Sequence, residues 1–285
     1  MKINKINPSD NEYTKLLADI PSSPEHLYYR GILPKNRVKT VAIVGSRKPT
    51  PYGKEIASRL AAELARNKII VVSGMALGID SIAHRAALEA DGTTIAVLAN
   101  GVDNFYPKIH SKLGQNIIDN GGAVLSEYTP GTPAAPYQFL ARNRIVSGLA
   151  DVVVVVEAAA RSGTLSTANH ALDQGRDVFA VPGNITSPLS EGCNKLIKMG
   201  AQPLTDICEI TDYLVPKIQQ LDLIDSILTE PNEALIVSLI KSGVRSGEEI
   251  LKQSKLSASE YNQAMTMLEI NGHIQALGAN RWSLK

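Results

Sequence analysis

The fold of this chain is decided by residues 139–183, FLARNRIVSGLADVVVVVEAAARSGTLSTANHALDQGRDVFAVPG. The five consecutive valines at 152–156 are too apolar and too β-branched for a strand that exposes one face to water. Such a run is typical of a strand buried on both faces, as in a parallel sheet covered by helices. Ser162, Gly163 and Thr164 follow the strand and begin a predicted helix that ends at about Gly175. The stretch therefore predicts a strand–loop–helix unit of an α/β protein.

The loop before that helix predicts an anion-binding site. Small residues at a helix N-terminus leave backbone N–H groups free, and the helix dipole adds positive potential there. The cluster Arg142, Asn143 and Arg144, just before the valine strand, supplies positive charge. The two arginines are two positions apart, so they cannot share one face of a helix. We expect one of them to face the site and the other to pair with an acid, either Glu127 or Glu157.

Strand and helix patterns alternate from residue 40 to about residue 200. The other strands of this region are predicted at 40–44, 69–72, 94–98 and 123–126, and the helices between them at about 52–67, 80–90 and 111–120. This alternation predicts an α/β fold with an extended Rossmann-type, doubly wound, mostly parallel sheet. Ligands of such sheets bind beyond the carboxyl ends of the strands. Those ends carry small residues and arginines, at 45–47, 73–78, 99–101 and 157–164.

The chain is expected to have three parts. Residues 1–38 form a short N-terminal segment with a weak helix at 11–19 and a strand at LYYRG, 27–31; residues 39–215 form the Rossmann-like domain; residues 222–285 form a small C-terminal domain. In the last part, helices are predicted at 232–242, 247–253 and 259–271, followed by a hairpin at 273–284 that turns at 278–280. Three helices and a hairpin are the outline of a winged helix.

The charge of the C-terminal part argues against duplex reading. From residue 220 onward there are eight acidic and six basic residues, a net charge of −2. The helix in the recognition position carries Glu260 and Glu269, with no lysine or arginine between them. A helix that enters a duplex groove is normally basic. We therefore doubt that this domain reads double-stranded DNA.

The whole-chain composition limits the function classes further. Among the 285 residues, 44% are hydrophobic and 20% charged, as in ordinary globular proteins. No apolar run approaches the ~18 residues of a membrane span, and residues 1–10 lack an apolar secretion core, so we expect a cytoplasmic protein with no membrane partner. Two cysteines, Cys193 and Cys208, are too few for a metal cluster or a disulfide framework, and neither a metal nor a cofactor is predicted. Because the net charge is only +1, attraction to a nucleic acid must come from a local patch.

Two enzymatic patterns are weak in this sequence. The loop 74–78 lacks the G-x-G-x-x-G spacing of a dinucleotide site, although its small residues suit a backbone that approaches a phosphate. Ser73, Asp80 and His84 invite the hypothesis of a catalytic triad. No nucleophile elbow surrounds the serine, and a single histidine on a packed helix is more often a structural hydrogen-bonding group. No catalytic residue is predicted.

Taken in order, the motifs resemble the DNA-processing protein A family (DprA, also called Smf). The shared motifs are GSR at 45–47, SGMALGID with a following AH at 73–84, YP at 106–107, FLARNR at 139–144, SGT at 162–164, VPG at 181–183 and GCNKLIKMGA at 192–201. The resemblance implies a cytoplasmic homodimer whose extended Rossmann domain binds single-stranded DNA. It also implies that the protein protects incoming DNA and loads the RecA recombinase during natural transformation, with no catalytic activity.

The resemblance further assigns roles to individual residues. It makes Arg47 a phosphate contact, gives the loop 74–78 a share of the pocket, makes Lys108 a basic DNA contact and makes Phe139 the ring on which a base stacks. One departure is that Pro136, Tyr137 and Gln138 stand where a basic residue often precedes the phenylalanine, which removes a charge. The complete set of predicted DNA-binding residues is Ser46, Arg47, Gly74, Met75, Ala76, Gly78, Lys108, Phe139, Arg142, Asn143, Ser162, Gly163 and Thr164.

The alternative hypothesis is a nucleotide-processing enzyme of the lysine-decarboxylase-like phosphoribohydrolase type. That family carries a P-G-G-x-G-T loop followed by a catalytic glutamate. Here the loop at 160–164 is ARSGT, and residues 165–167 offer no carboxylate. Expelling a base from ribose needs an acid–base group at that place, so the DNA-binding hypothesis is preferred. A third hypothesis for the function is a nucleotide-sensing scaffold.

Overall fold

The computed structural model of the chain describes residues 2–215, 230–278 and 280–284. It contains two compact units, Met1–Leu214 and Val215–Lys285, called here the N-terminal and the C-terminal unit. The stretch 216–229, in which we predicted the boundary between the second and third parts of the chain, lies outside the described residues. In the described part of the chain, no helix has the length and apolar character needed to cross a membrane.

The N-terminal unit is built on a nine-stranded sheet. Its strands are β1 (Asn4–Ile6), β2 (Leu27–Gly31), β3 (Thr40–Val44), β4 (Ile70–Ser73), β5 (Thr94–Val97), β6 (Ala123–Ser126), β7 (Val152–Val155), β8 (Asp177–Ala180) and β9 (Gln202–Pro203). Its helices are α1 (Pro51–Arg66), α2 (Ile79–Glu89), α3 (Ser111–Asp119), α4 (Pro136–Leu149), α5 (Thr164–Asp173), α6 (Glu191–Lys198) and α7 (Cys208–Leu214).

The strand order is β1-β2-β6-β5-β4-β3-β7-β8-β9. All neighbours from β6 to β9 are parallel, whereas β2 pairs antiparallel with β6 and β1 antiparallel with β2. The predicted mostly parallel sheet is thus confirmed. The chain leaves β3 toward β4 on one side and returns through β7 on the other, so the strand order reverses between β3 and β7. Open α/β sheets bind ligands at this switch point.

The valine run forms an inner strand of this sheet that is buried on both faces, as predicted. Residues Val152–Val155 of β7 are fully buried, and they pair in register with β3 on one side and with β8 on the other. Side chains of α4, α5 and α6 cover one face of the sheet, together with Tyr13 and Leu17 from the N-terminal segment. On the other face, α3 packs against side chains of β5 and β6. All four residues of β7 are shielded from water, in agreement with an all-valine strand inside a parallel sheet.

The weak helix predicted at 11–19 is wrong. Residues 11–19 contain one short 3-10 turn, Lys15–Ala18, and a second 3-10 turn, Pro8–Asp10, precedes them. The side chain of Asn11 accepts hydrogen bonds from the backbone N–H groups of Tyr13 (2.8 Å) and Thr14 (3.3 Å). This local bonding competes with an α-helix, because it offers the same backbone donors another acceptor.

The C-terminal unit contains helices α8 (Pro231–Lys241), α9 (Gly247–Ser254) and α10 (Ala258–Ile270), and a hairpin of β10 (Ile274–Gly278) and β11 (Arg281–Leu284). Each predicted element is present to within about one residue, although Ala279 in the predicted turn lies outside the described residues. Ile236, Ile250, Leu268 and Ile274 belong to a separate apolar core. The assignment of this unit as a winged helix stays a prediction.

Candidate functional site

A cleft of about 440 Å³ opens at the switch point between β3 and β7. Its walls come from the ends of β3 and β4, from the middle of α4 and from the loop before α5. Of the thirteen residues predicted from the sequence, the structure brings ten together along this cleft: Ser46, Arg47, Gly74, Ala76, Phe139, Arg142, Asn143, Ser162, Gly163 and Thr164. These residues are spread over about 120 positions of the chain, and the sheet places them on one rim because the carboxyl ends of parallel strands meet at one edge.

A cation and two aromatic rings lie together at the mouth of the cleft. The guanidinium carbon of Arg47 is 5.4 Å from the centroid of the Phe139 ring, within the range of a cation–π contact. The Tyr106 ring lies 5.6 Å from the Phe139 ring and is tilted by 51°. A second cavity of about 80 Å³ is lined by these three side chains and by Leu77. Tyr106 entered the sequence analysis only through its Tyr-Pro motif, whereas the structure makes it part of the site.

The N-terminus of α1, next to β3, is closed to an external anion. The carboxylate of Glu157, buried at the end of β7, accepts hydrogen bonds from the backbone N–H (2.9 Å) and the hydroxyl of Thr50. Thr50 is the N-cap of α1, and its own hydroxyl accepts from Gly53 N–H. An acidic group at a helix N-terminus satisfies free donors and opposes the positive end of the dipole. The Glu157 carboxylate therefore accepts hydrogen bonds from the start of α1 and, in the described part of the chain, does not pair with an arginine.

The loop 73–78, which leads from β4 into α2, also turns its donors inward. The backbone N–H groups of Gly74 (3.2 Å) and Ala76 (3.3 Å) donate to the carboxylate of Asp80 in the first turn of α2. Burial raises the pKa of Asp80, and the nearby Arg142 guanidinium opposes that shift. The small residues of this loop predicted a backbone that approaches a phosphate. The structure shows that two backbone N–H groups of the loop already donate to a protein carboxylate.

The third helix N-terminus at the cleft, that of α5, has no acidic residue in its first turn. Thr164 N–H donates to the Ser162 hydroxyl (3.2 Å), and the Thr164 hydroxyl donates to Gly45 O (3.1 Å), which ties the loop to the end of β3. Asn143 donates through Nδ2 to Gly163 O (3.2 Å) and ties the same loop to α4. The predicted anion-binding loop is therefore held from both sides of the cleft.

The two arginines of α4 divide their roles as predicted. Arg142 is 4% exposed, lines the cleft and donates to the carbonyl oxygens of Gly74 (2.7 Å) and Val97. Arg144 points away from it and forms a two-point ion pair with Glu127, at 2.7 and 2.6 Å. The choice between Glu127 and Glu157 is thereby decided in favour of Glu127.

Three of the predicted residues do not line the cleft. Met75 is fully buried in an apolar cluster beneath the loop, with its backbone in the left-handed region at φ 55°. Gly78 packs under the backbone that precedes α1, and a Cβ at this position would lie 2.3 Å from Ser46 O. Lys108 is exposed and follows Pro107, which borders the second cavity. Met75 and Gly78 therefore shape the site from behind, and Lys108 lies at its edge.

Ser73, Asp80 and His84 are not arranged as a triad. The Ser73 hydroxyl donates to Ile43 O (2.6 Å), and Nδ1 of His84 is 2.7 Å from the Thr94 hydroxyl. Burial lowers the pKa of His84 to about 3, so the imidazole is neutral near pH 7. Each of the three side chains serves a structural hydrogen bond. Among the described residues, no group of three or more His, Cys, Asp or Glu side chains is placed to hold a metal ion.

Comparison with known proteins places these features in a family. Residues 4–215 match the model of a family described as DNA recombination-mediator protein A. The chain is 45% identical over 196 residues to the DNA processing protein DprA of Streptococcus pneumoniae, covering 69% of each chain. It is 43% identical over 208 residues to the protein Smf of Escherichia coli, covering 73% of this chain and 56% of that protein.

Two solved structures are similar over most of the N-terminal unit. DNA processing protein A of Streptococcus pneumoniae matches with a TM-score of 0.70 at 41% identity, covering 75% of both chains. DNA processing protein A of Helicobacter pylori, whose structure concerns the single-stranded DNA binding mode of that protein, matches with a TM-score of 0.66 at 33% identity, covering 75% of this chain and 96% of that one.

Proposed function

Because the chain belongs to the DNA recombination-mediator protein A family, we propose that it binds single-stranded DNA in the cleft between β3 and β7. We further propose that it acts as a homodimer in the cytoplasm, protects incoming DNA and loads the RecA recombinase onto it, without catalysing a reaction. The resemblance of the motifs supports the proposed homodimer and the proposed loading of RecA. The geometry of the cleft supports the binding of single-stranded DNA.

The observation that carries the proposal is the contact between Arg47 and Phe139. An exposed guanidinium supplies the positive charge that a phosphate needs, and the ring beneath it supplies a flat surface for a base. Proteins that bind single strands without sequence preference combine these two groups, since every base has a π face. Tyr106 extends the aromatic surface beside Phe139. The pair therefore suits a nucleotide of any base.

The phosphate is proposed to lie between Arg47 and the loop 162–164. The N-termini of α1 and α2 are occupied by Glu157 and Asp80, whereas α5 begins without a carboxylate. The first N–H groups of α5, those of Thr164, Leu165 and Ser166, donate within the loop to Ser162 Oγ, Ser162 O and Gly163 O. A phosphate is therefore favoured here by the positive end of the helix dipole, which no carboxylate in the first turn opposes. Lys108 at the edge of the site provides a further positive charge for the continuing strand.

The residues before Phe139, where the family often has a basic residue, have other roles in this structure. Gln138 is buried and accepts a hydrogen bond from Ala135 N–H (2.5 Å), so it closes the first turn of α4. Tyr137 beside it is 70% exposed and offers a ring instead of a charge. We propose that binding here depends more on stacking, and on Arg47, than in relatives with a basic residue at this place.

The phosphoribohydrolase alternative has less support. The Asp80 carboxylate that lines the cleft accepts two backbone hydrogen bonds, and Glu157 is turned away to cap α1. Departure of a base from ribose needs a carboxyl group that is free to transfer a proton. Neither of these two carboxylates is free in this way.

For the C-terminal unit we propose a winged helix that does not read duplex DNA. Its last helix, α10, contains Glu260 and Glu269 and neither lysine nor arginine. A basic surface is what attracts the phosphates of a duplex. Binding of labelled duplex by the full chain in the presence of excess oligo-dT would contradict this assignment.

The main test is a fluorescence-anisotropy titration of labelled oligo-dT at a series of KCl concentrations. For each phosphate neutralised, log K falls with log[KCl] by a slope of about −0.7. We expect Arg47→Gln to weaken binding at least tenfold and to make the slope less negative by about 0.7. Arg59→Gln is the control with the same change in net charge, because Arg59 is a 65% exposed side chain on α1.

A second variant separates stacking from charge. Phe139→Leu keeps an apolar side chain and removes the π face, so binding is expected to weaken by about 1–3 kcal/mol without a change in the salt slope. If wild type binds AMP and no oligo-dT, the DNA proposal is wrong and the nucleotide enzyme is favoured. If Arg47→Gln binds like wild type, the site lies elsewhere on the chain.

A further inference from the structure

The conformation of the loop 73–78 is imposed by the residues around it. Met75 is held in the left-handed backbone region although it is not glycine, and its side chain is fully buried beneath the loop. A non-glycine residue stays in this region only when its surroundings enforce it. At Gly74 there is no room for a side chain, because a Cβ would lie 2.5 Å from the guanidinium of Arg142. The loop is therefore held by groups outside itself.

Three side chains hold this loop. The Asp80 carboxylate accepts the N–H groups of Gly74 and Ala76, and the Arg142 guanidinium donates to Gly74 O. His110, which precedes α3, is buried and donates through Nδ1 to Met75 O (2.9 Å). The polar groups of the loop backbone are thus bonded from α2, α4 and the start of α3 at once.

The loop in turn supports the backbone of Arg47. Gly78 lies so close to this backbone that a Cβ would be 2.7 Å from the carbonyl carbon of Arg47. Ile79 N–H, at the end of the loop, donates to Ser46 O (3.1 Å). A shift of the loop therefore moves the residue that we propose as the phosphate contact.

Arg142 differs from Arg47 in what remains for a ligand. Its Nη1 donates to two protein carbonyls, its Nε is buried without a hydrogen-bond partner among the described residues, and only 4% of the residue is exposed. Burial lowers the pKa of the Arg142 guanidinium, and the nearby Asp80 carboxylate opposes this shift. Asp80 is therefore the countercharge of Arg142. Arg47, in contrast, is exposed, and its guanidinium lies over an aromatic ring.

We propose that Arg142 and Asp80 are positioning residues of the cleft. They fix the loop 73–78 and, through it, the backbone of Arg47, and they do not themselves neutralise a DNA phosphate. This inference rests on the proposed binding of single-stranded DNA, and it changes the role predicted for Arg142 from a direct contact to an indirect one. The loop is then a wall of the cleft, and the phosphate charge is met by Arg47.

The experiment compares affinity with salt dependence in the full chain, using labelled oligo-dT as the probe. Asp80→Asn keeps the shape of the side chain and removes its charge. Gly74→Ala displaces the Arg142 guanidinium by a second route, without altering any charge and without a left-handed φ at that position. Both variants are expected to bind at least tenfold more weakly, with a salt slope within about 0.2 of wild type, whereas loss of a phosphate contact would change the slope by about 0.7.

Each other result counts against the proposal. A slope less negative by about 0.7 in Gly74→Ala would show that Arg142 neutralises a phosphate. Tighter binding by Asp80→Asn would show that Asp80 only repels DNA, and unchanged affinity in both variants would show that the loop does not position Arg47. Affinities are measured below the melting temperature of every variant, followed by far-UV circular dichroism. If wild type shows no salt-dependent binding, the proposed function itself fails.

Discussion

Removing the carboxylate of Glu127 is expected to destabilise the N-terminal unit by about 2–3 kcal/mol. Glu127 follows β6 and accepts two hydrogen bonds from the guanidinium of Arg144 on α4, at 2.7 and 2.6 Å. The side chains are only 12% exposed for Arg144 and 18% for Glu127. Glu127→Gln keeps the shape of the side chain and leaves the Arg144 charge without its partner in a poorly solvated place.

The magnitude follows from the geometry and the burial. Breaking a fully buried ion pair costs about 3–5 kcal/mol, and an exposed pair contributes about 0–1 kcal/mol. The pair lies nearer the buried limit, and Arg144 retains hydrogen bonds to Ser22 O and Ala141 O. We therefore expect a coupling energy of about 2 kcal/mol between Glu127 and Arg144 in a double-mutant cycle.

The assay is urea unfolding followed by far-UV circular dichroism, for wild type, Glu127→Gln, Arg144→Gln and the double variant. The control cycle uses Glu55 and Arg59 on α1, which are 3.4 Å apart and 63% and 65% exposed. Their coupling is expected to be about 0.3–0.5 kcal/mol and to disappear at high salt. If the coupling of the first pair does not exceed that of the second, the reasoning from burial is refuted.

The remaining predictions concern three other buried groups. Gly53→Ala is expected to lower stability to urea by about 1–3 kcal/mol, because a Cβ would lie 2.4 Å from the carboxyl carbon of Glu157. The pKa of His84 is lowered from 6.5 to about 3 by burial, so the folded state binds fewer protons than the unfolded state between these values. The contribution of neutral His84 to the free energy of unfolding should therefore be fully present above pH 6.5 and fall by about 1.4 kcal/mol per pH unit toward pH 3. This slope should be absent in His84→Gln. Burial raises the pKa of Cys193 to about 12, whereas Cys208 is exposed, so a thiol reagent should modify Cys208 in the native protein and Cys193 only after unfolding, as read by mass spectrometry.

Gly163→Ala is the control for the glycine prediction. Its backbone has φ −60°, and an added Cβ would have Leu140 as its nearest neighbour at 3.6 Å, an ordinary contact. We expect a change in stability within about 0.5 kcal/mol. A loss similar to that of Gly53→Ala would mean that the packing around Glu157 is not the cause. An acid slope that persists in His84→Gln, or equal labelling of both cysteines in the native protein, would contradict the other two predictions.

The alternation of strands and helices could be predicted from the sequence because it depends on local patterns. The valine run at 152–156 has no stable place except a strand with two dry faces, and Pro51 with Thr50 marks the start of α1. The carboxyl ends of parallel strands share one edge, so the glycine- and arginine-containing loops were expected on one rim. The weak helix at 11–19 failed because Asn11 bonds its own neighbours, which hydrophobic periodicity does not register.

Only the tertiary structure decided which groups of that rim are free. Arg142 donates to a carbonyl 68 positions away, and Glu157 bonds the N-cap residue of α1, Thr50, 107 positions before it. Arg142 and Arg144 look alike in the sequence, yet packing buries one against the loop 73–78 and pairs the other with Glu127. A polar group that loses water must find a partner in the fold, and the identity of that partner depends on distances between elements that are far apart in the chain. The sequence by itself determined the sheet and the edge that carries the candidate site, and long-range packing determined which polar groups at that edge are already bonded within the protein.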